Sequence, residues 1–345
     1  MGIALQTMTN ELTHVFLLSV GAFLLAMFLT PIYTFFAYRY RFWKHQRENA
    51  VTGEKLQVFN RLHEGKIRRN IPTMAGVISV IAAGLVTLLF NLDRAQTWLP
   101  LAAFAGGAAV GLIDDYLNIF GSNKKDAGMR APVKFALITL IGLVLGWFFY
   151  VKLGVMSFHV PFMGDVSIGW LIIPLFAFAA VATGNAVNIS DGLDGLAGGL
   201  LGISFGAFGV IALLQQQVLL AGFCFTMVGV LLSYLWFNIY PARFFMGDVG
   251  SFAYGVSLGV VAMLTNSLLL LPVIGLLFVI EAGSSLIQIV SKKLFKRKIF
   301  LSAPIHHHLE AIGWPETKVT MRFWVIGCVM AFIGVMLALA GGHIA

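Results

Sequence analysis

Asn185-Ala186-Val187-Asn188-Ile189-Ser190-Asp191-Gly192-Leu193-Asp194-Gly195-Leu196-Ala197-Gly198-Gly199 is a polar island between two apolar runs, 168–181 and 200–214. Asn185, Asn188, Asp191 and Asp194 recur at every third position. In a helix that spacing keeps the four side chains near one face. Two carboxylates and two amides among membrane-embedded residues are costly unless they line a polar cavity or bind something. The glycines permit a turn between two helices and the close approach of a chain or ligand. A surface loop, or a helix N-cap at Asp191, accounts for one acid alone but poorly for all four polar residues.

The rest of the chain supplies the setting. Its 345 residues are 59% apolar and only 11% charged, whereas soluble proteins carry about 25% charged residues. This composition predicts an all-α, polytopic integral membrane protein with a single domain over residues 1–345. Apolar runs near the bilayer-crossing length of about 17–25 residues fall at 15–37, 72–91, 98–113, 133–151 and 168–187. They continue at 195–214, 217–237, 250–266, 267–290 and 323–341, giving about ten transmembrane helices. Cys224 and Cys328 both lie in apolar runs, which argues against a disulfide framework or a cysteine metal site. The N-terminus lacks a basic n-region and its first apolar run is long enough to remain as a span, so no cleavable signal is expected. Residues 152–167 alternate enough to suggest a small hairpin.

Charge sets the orientation. All but Arg94 and Lys152 of the 23 Lys and Arg fall in one alternate set of loops. The positive-inside rule makes those loops cytoplasmic and both termini extracytoplasmic. The net charge of +8 then follows from topology and requires no nucleic acid. The unusual polar clusters share that side. Asp114-Asp115 closes the third span, 185–199 follows the fifth, Asn238 and Phe244–Ser251 follow the seventh, and His306-His307-His308 follows the ninth.

Asp114, Asp115, Asp191, Asp194 and Asp248 thus form a carboxylate-rich rim. Hard oxygen donors suit Mg²⁺ or Mn²⁺. Mg²⁺ usually takes one or two carboxylates plus substrate phosphates, which points to a diphosphate substrate. Lys66, Arg68, Arg69, Lys124, Lys125, Arg130 and Lys134 could hold phosphate oxygens, although positive-inside bias explains most of them. Lys134 differs because it begins the fourth span beside the aspartate pair. The histidines could ligate a metal, bond a phosphate or move a proton, with a helix directing about two of the three inward. Phe244 and Phe245 offer a ring for base stacking, or interfacial anchors. Glu281, mid-span in the ninth run, is either a functional buried acid or the partner of a neighbouring helix.

Four motifs in this order resemble the polyprenyl-phosphate hexose-1-phosphate transferase superfamily (glycosyltransferase 4 family), from about Arg61 to Trp324. Asp114-Asp115-Tyr116-Leu117 matches the aspartate pair, residues 185–199 the central motif, and Phe244-Phe245-Met246-Gly247-Asp248-Val249-Gly250-Ser251 the third signature. Pro304-Ile305-His306-His307-His308-Leu309-Glu310, Gly313-Trp314-Pro315-Glu316-Thr317-Lys318-Val319 and Arg322-Phe323-Trp324 look like the branch whose donor is UDP-MurNAc-pentapeptide.

The resemblance implies a ten-helix enzyme of the bacterial inner membrane that transfers phospho-MurNAc-pentapeptide to undecaprenyl phosphate. The products would be lipid I and UMP, in peptidoglycan synthesis. By matching position, Asp248 would be the principal Mg²⁺ ligand and Asn188 a second contact. Asp114 and Asp115 would position the lipid phosphate or take its proton, and Lys134 would hold phosphate oxygens. Asn185, Asp191, Asp194, Asn238 and Phe245 would shape the uridine-diphosphate pocket, Phe245 by stacking on uracil. His306 and His307 would line the sugar-peptide side. Two positions depart from the pattern: Asn118 stands where the family commonly has Lys, and Asn70-Ile71-Pro72-Thr73-Met74-Ala75-Gly76 replaces Gly-Thr-Pro-Thr-Met-Gly-Gly. A sister enzyme using UDP-GlcNAc remains an alternative, as does an ion-coupled carrier, although no inverted repeat is evident. A homodimer is left open.

Overall fold

A computed structural model describes residues 2–43, 70–121 and 128–343. Lys66, Arg68, Arg69, Lys124 and Lys125 lie outside the described residues. Each of the ten apolar runs contains a helix. In chain order these are α1 (Gly2–Arg39), α2 (Gly76–Phe90), α3 (Trp98–Phe120), α4 (Ala131–Leu153), α5 (Ile172–Ser190), α6 (Leu196–Leu214), α7 (Val218–Asn238) and α8 (Gly247–Leu264). The ninth run is broken into a short α9 (Leu271–Ile274) and α10 (Leu276–Phe295), followed by a loop helix α11 (Ile305–Ala311) and α12 (Glu316–Ala340).

Among the described residues seven helices are long and apolar enough to cross a membrane, and the bent ninth run, taken as one span, makes an eighth. The remaining two of the expected ten are present as helices, but α2 has only 15 residues and α3 carries Asp114 and Asp115 toward its end. The ninth run is not one straight span: its halves meet at 81° across Gly275, just after Pro272. Proline and glycine are the usual cause of such breaks.

The bundle is built around α8, in which every residue from Gly247 to Met263 is buried. It packs chiefly on α3 and α5. Without a hydrophobic drive between helices in lipid, close backbone approach through small residues favours their association. Gly111 of α3 shows how close: a Cβ there would overlap the carbonyl of Asp248. On the other flank Gly255 lies against the backbone of Gly184 in α5. Two apolar cores result, one among α3, α4, α5 and α8, the other joining α1, α2, α6, α7 and α12 to α8. By contrast α1, α4 and α12 are largely unburied along their apolar windows and offer side chains such as Phe28 and Phe332 to lipid.

The expected hairpin forms, with β1 (Ser157–Val160) antiparallel to β2 (Gly164–Ser167). His159 places its Nδ1 2.8 Å from Asp165 Oδ1 and its Nε2 2.8 Å from the carbonyl of Gly341, just past α12. At its other end α12 meets the 191–195 turn. The end of α12 therefore lies with the hairpin, opposite the acidic clusters. The start of α1 lies there too, since its far end leads to Phe42, which accepts from the Thr73 N–H.

Candidate active site

Asp114 and Asp115 are adjacent on the last turns of α3 and diverge as helical neighbours must. Both are buried. Asp115 turns toward α8, where its Oδ2 accepts the Val249 N–H at 3.0 Å. That donor belongs to the first turn of α8, where backbone N–H groups have no helical partner and favour negative charge. Asp114 turns toward α4. Its Oδ1 accepts the Met129 N–H at 2.5 Å, and its Oδ2 lies 2.7 Å from Lys134 Nζ. The same ammonium is 2.6 Å from Oδ2 of Asp248 in the first turn of α8. It also sits 5.2 Å from the centre of the Phe252 ring. Three helices therefore bring two carboxylates and one ammonium to a point. Asp115 brings a third carboxylate to the same junction of α3 and α8.

Asn188, on the last turn of α5, donates from Nδ2 to Ser251 Oγ at 2.9 Å, and Ser251 lies one turn beyond Asp248. The amide of Asn188 is thus held beside that aspartate. These hard oxygen donors suit Mg²⁺ or Mn²⁺. Among the described residues no group of three or more His, Cys, Asp or Glu could hold a metal alone, so phosphate oxygens or water would have to complete the shell.

The central motif is not one continuous helical face. α5 ends at Ser190, Asp191 follows as its cap, and Gly195 takes a left-handed φ of +75° before α6 begins. The four evenly spaced polar residues consequently do different things. Asn185 donates back to Val181 in its own helix, and Asn188 reaches α8. Asp194 accepts the Ala242 N–H at 2.9 Å, while its own N–H goes to Glu316 Oε1 at 2.6 Å. Asp191 stays half-buried on the turn. Asn238 accepts from the Gly195 N–H (2.9 Å) and donates to the Phe244 carbonyl (2.8 Å). Trp324 donates from its indole to the Gly195 carbonyl at 3.2 Å. Asp194 and Asn238 thus act on backbone, fastening the turn to the 241–245 loop.

That loop is also clipped to residues 72–76. Phe245 N–H donates to Pro72, and Ala75 and Gly76 donate back to Phe245 and Met246. Tyr33 of α1 holds the same segment by donating from its hydroxyl to the Thr73 carbonyl. Of the two neighbouring phenylalanines, Phe244 is buried against Tyr33 and Phe237, while Phe245 is half-buried at the rim. Sequence reasoning missed Glu316, Ser251 and Tyr33. Glu316 stood in a quoted motif but offered no sign of its partner.

On α11, His306 and His307 turn inward and His308 is left partly exposed, accepting the Leu301 N–H at 3.3 Å. His306 Nδ1 is 2.7 Å from Glu281 Oε2 with both side chains fully buried, so the mid-span acid has a partner on the loop helix. His307 Nδ1 pairs with Glu310 at 2.8 Å, and the two imidazole rings are 4.1 Å apart. Burial and the neighbouring His306 push the pKa of His307 down to about 4. It is therefore neutral at pH 7 and can serve as a hydrogen-bond partner rather than a fixed cation.

A phospho-N-acetylmuramoyl-pentapeptide-transferase of Chloroflexus aurantiacus is 38% identical over 99% of this chain and 94% of its own length. The chain belongs to the phospho-N-acetylmuramoyl-pentapeptide transferase family. Transferases of the same name from Levilactobacillus brevis and Listeria welshimeri are 38% and 36% identical, over 83% and 91% of this chain and 93% and 95% of their own lengths. The model of glycosyl transferase family 4 matches residues 97–266. That range runs from α3 through α8 and includes the acid pair, Lys134, the central motif and Asp248. As a member of this transferase family the protein is a multi-pass enzyme of the cytoplasmic membrane.

Proposed function

We propose that this site transfers phospho-MurNAc-pentapeptide from UDP-MurNAc-pentapeptide to undecaprenyl phosphate, giving lipid I and UMP in peptidoglycan synthesis. The observation that carries the reading is the convergence of Asp114, Lys134 and Asp248 at the charged edge of a membrane bundle. A lipid phosphate must attack a diphosphate there, so repulsion between anions dominates the barrier. Family membership supports the choice of donor, and so does the histidine helix set against the central motif.

Lys134 lies where it can exchange a carboxylate for a phosphate oxygen and lower the repulsion between the two substrates. Asp114 and Asp115 would orient the lipid phosphate or accept its proton, Asp115 being aimed by the Val249 N–H. Asp248 would be the main ligand of Mg²⁺, with Asn188 beside it, and the ion would supply charge neutralisation on the diphosphate and on departing UMP. Phe245 would stack on uracil, within a pocket whose walls Asp194 and Asn238 keep in place from behind. Asn185 and Asp191 would border the same pocket, and His306 and His307 its sugar-peptide side. Attack is direct, because a phosphate dianion needs little activation.

The experiment is UMP release by the purified protein from UDP-MurNAc-pentapeptide and from UDP-GlcNAc, each with undecaprenyl phosphate, with and without Mg²⁺. Turnover of the first donor alone, dependent on the metal, is the expected result. Preference for UDP-GlcNAc would move the protein to the sister chemistry, and absence of UMP release would overturn the transferase reading. Rapid-quench trapping of phospho-sugar on Asp114 or Asp115 would overturn direct attack.

A further inference from the structure

Glu281 has no part in the phosphate chemistry above. It is the only acid of α10, and the next along the chain is Glu310. The fold nevertheless seals it completely together with the His306 imidazole, at 2.7 Å. Its second oxygen, Oε1, has no partner among the described residues. Burying such a pair costs several kcal/mol per ion, and well-packed apolar side chains often stabilise as well or better. Holding α10 to α11 does not require it either. Ser284 Oγ already accepts the Ile305 N–H at 2.9 Å and donates to the Glu281 carbonyl at 2.8 Å.

What the carboxylate adds is direction. A hydrogen bond to Nδ1 fixes the rotation of the imidazole, and with it the edge that carries Nε2. That edge lies against Gly192 of the central motif, where any Cβ would collide with Nε2. The turn is fastened from its other sides by Asn238, Glu316 and Trp324. A further flank is formed by the His306 ring. The ring also meets His307 edge-on, so its rotation would be felt at both Gly192 and His307.

We propose that Glu281 is a positioning residue for the sugar-peptide half of the donor site, acting through His306 on the 191–193 turn and on His307. The proposal rests on the donor assignment made above. Glu281 touches no substrate itself. It sets the orientation of one imidazole as Glu310 does for its neighbour, and the substrate meets the surface that the two imidazoles and Gly192 form together.

The test uses the full-length enzyme in detergent. Glu281→Ala is expected to raise the KM for UDP-MurNAc-pentapeptide about tenfold, the size expected for losing one charge-assisted hydrogen bond. The kcat should stay within about twofold and inhibition by UMP should weaken by no more than about threefold, since only Asp191 of the displaced turn borders the nucleotide half. Glu281→Gln keeps an acceptor for Nδ1–H and should restore KM to within about threefold of wild type. Adding Glu281→Ala to His306→Ala should cost nothing further, because the two act as one unit. Equal losses of donor and UMP binding, or additive effects of the two substitutions, would overturn the proposal.

If Glu281→Ala does not fold, Glu281→Gln and His306→Asn carry the same test. Their combination offers an amide–amide bond, and an unfolding midpoint above that of either single variant supports the pairing. Midpoints that fall independently count against it. This thermal cycle needs no substrate. A wild-type enzyme that ignored the donor would thus sink the donor assignment and leave the pairing measurable.

Discussion

Two of the buried ionisable groupings in this bundle differ in how far they are closed to solvent. At the rim, Lys134 is shared between Asp114 and Asp248, with Asp115 adding a further negative charge, and the Lys134 and Asp248 side chains remain 16% and 13% exposed. Behind it, Glu281 and His306 pair with both side chains fully enclosed. A grouping with a shared ammonium and a route to solvent can trade partners for substrate or metal. A fully sealed pair can only hold geometry. The contrast separates residues expected to do chemistry from residues expected to orient it, although sequence position alone gives both the same appearance of acids near a membrane.

The sharpest way to break that contrast is at the open end. Asp248→Ala should lower turnover by about a thousandfold or more, the scale at which a group stabilising transition-state charge is lost. The protein should remain folded, and near-normal rates at saturating Mg²⁺ would remove Asp248 from the chemistry. Lys134→Met should cost about a hundredfold in kcat, also by leaving two acids unneutralised. A change confined to donor KM would instead make Lys134 a simple docking cation. Asp115→Asn should depress turnover at least about tenfold more than it weakens UMP binding, since its bond to the α8 amide positions the reacting side. Equal losses would place it in the nucleotide pocket.

Smaller effects should arise where side chains act on backbone. Asn238→Ala leaves the Gly195 N–H and the Phe244 carbonyl without their partners and should destabilise the enzyme by about 1–3 kcal/mol, read as a lower unfolding midpoint in detergent. His307 gives the last comparison through pH. Its folded pKa of about 4 lies below the unfolded value of about 6.5. The stability it contributes is therefore present above about pH 6.5 and is lost as pH falls toward 4, up to about 3 kcal/mol in all. His307→Gln should flatten that part of the acid-stability curve, and an unchanged curve would show that the imidazole is not protected from protons.

Much of this was legible in the chain. The ten apolar runs, the hairpin and the one-sidedness of the motifs follow from length, alternation and the distribution of Lys and Arg, which are local properties. Lys134 could be singled out because it opens a span near Asp114 in sequence. The division of labour within 185–195 could not. An even three-residue spacing suggested one face, but the helix stops at Ser190 and the phase is lost through Gly195. The bonds of Asp194 and Asn238 to the backbone of Ala242, Gly195 and Phe244 carry no mark in the sequence. The Glu281–His306 bond joins residues 25 positions apart across the 296–304 loop, and no periodicity carries that information. Glu316 meets Asp194 across 122 positions, set by the way α12 returns to the bundle.

Gly111 has a consequence for how finely this enzyme can be adjusted. Because a Cβ on it would overlap the main chain of Asp248, the gap between the reactive ends of α3 and α8 is set by the thickness of two bare polypeptide strands. No rotamer can widen it in small steps, and the smallest available change, a single methyl group at position 111, would drive the helices apart all at once. Natural variation should then tune this enzyme from its periphery, leaving the distance between its acids as a fixed gauge.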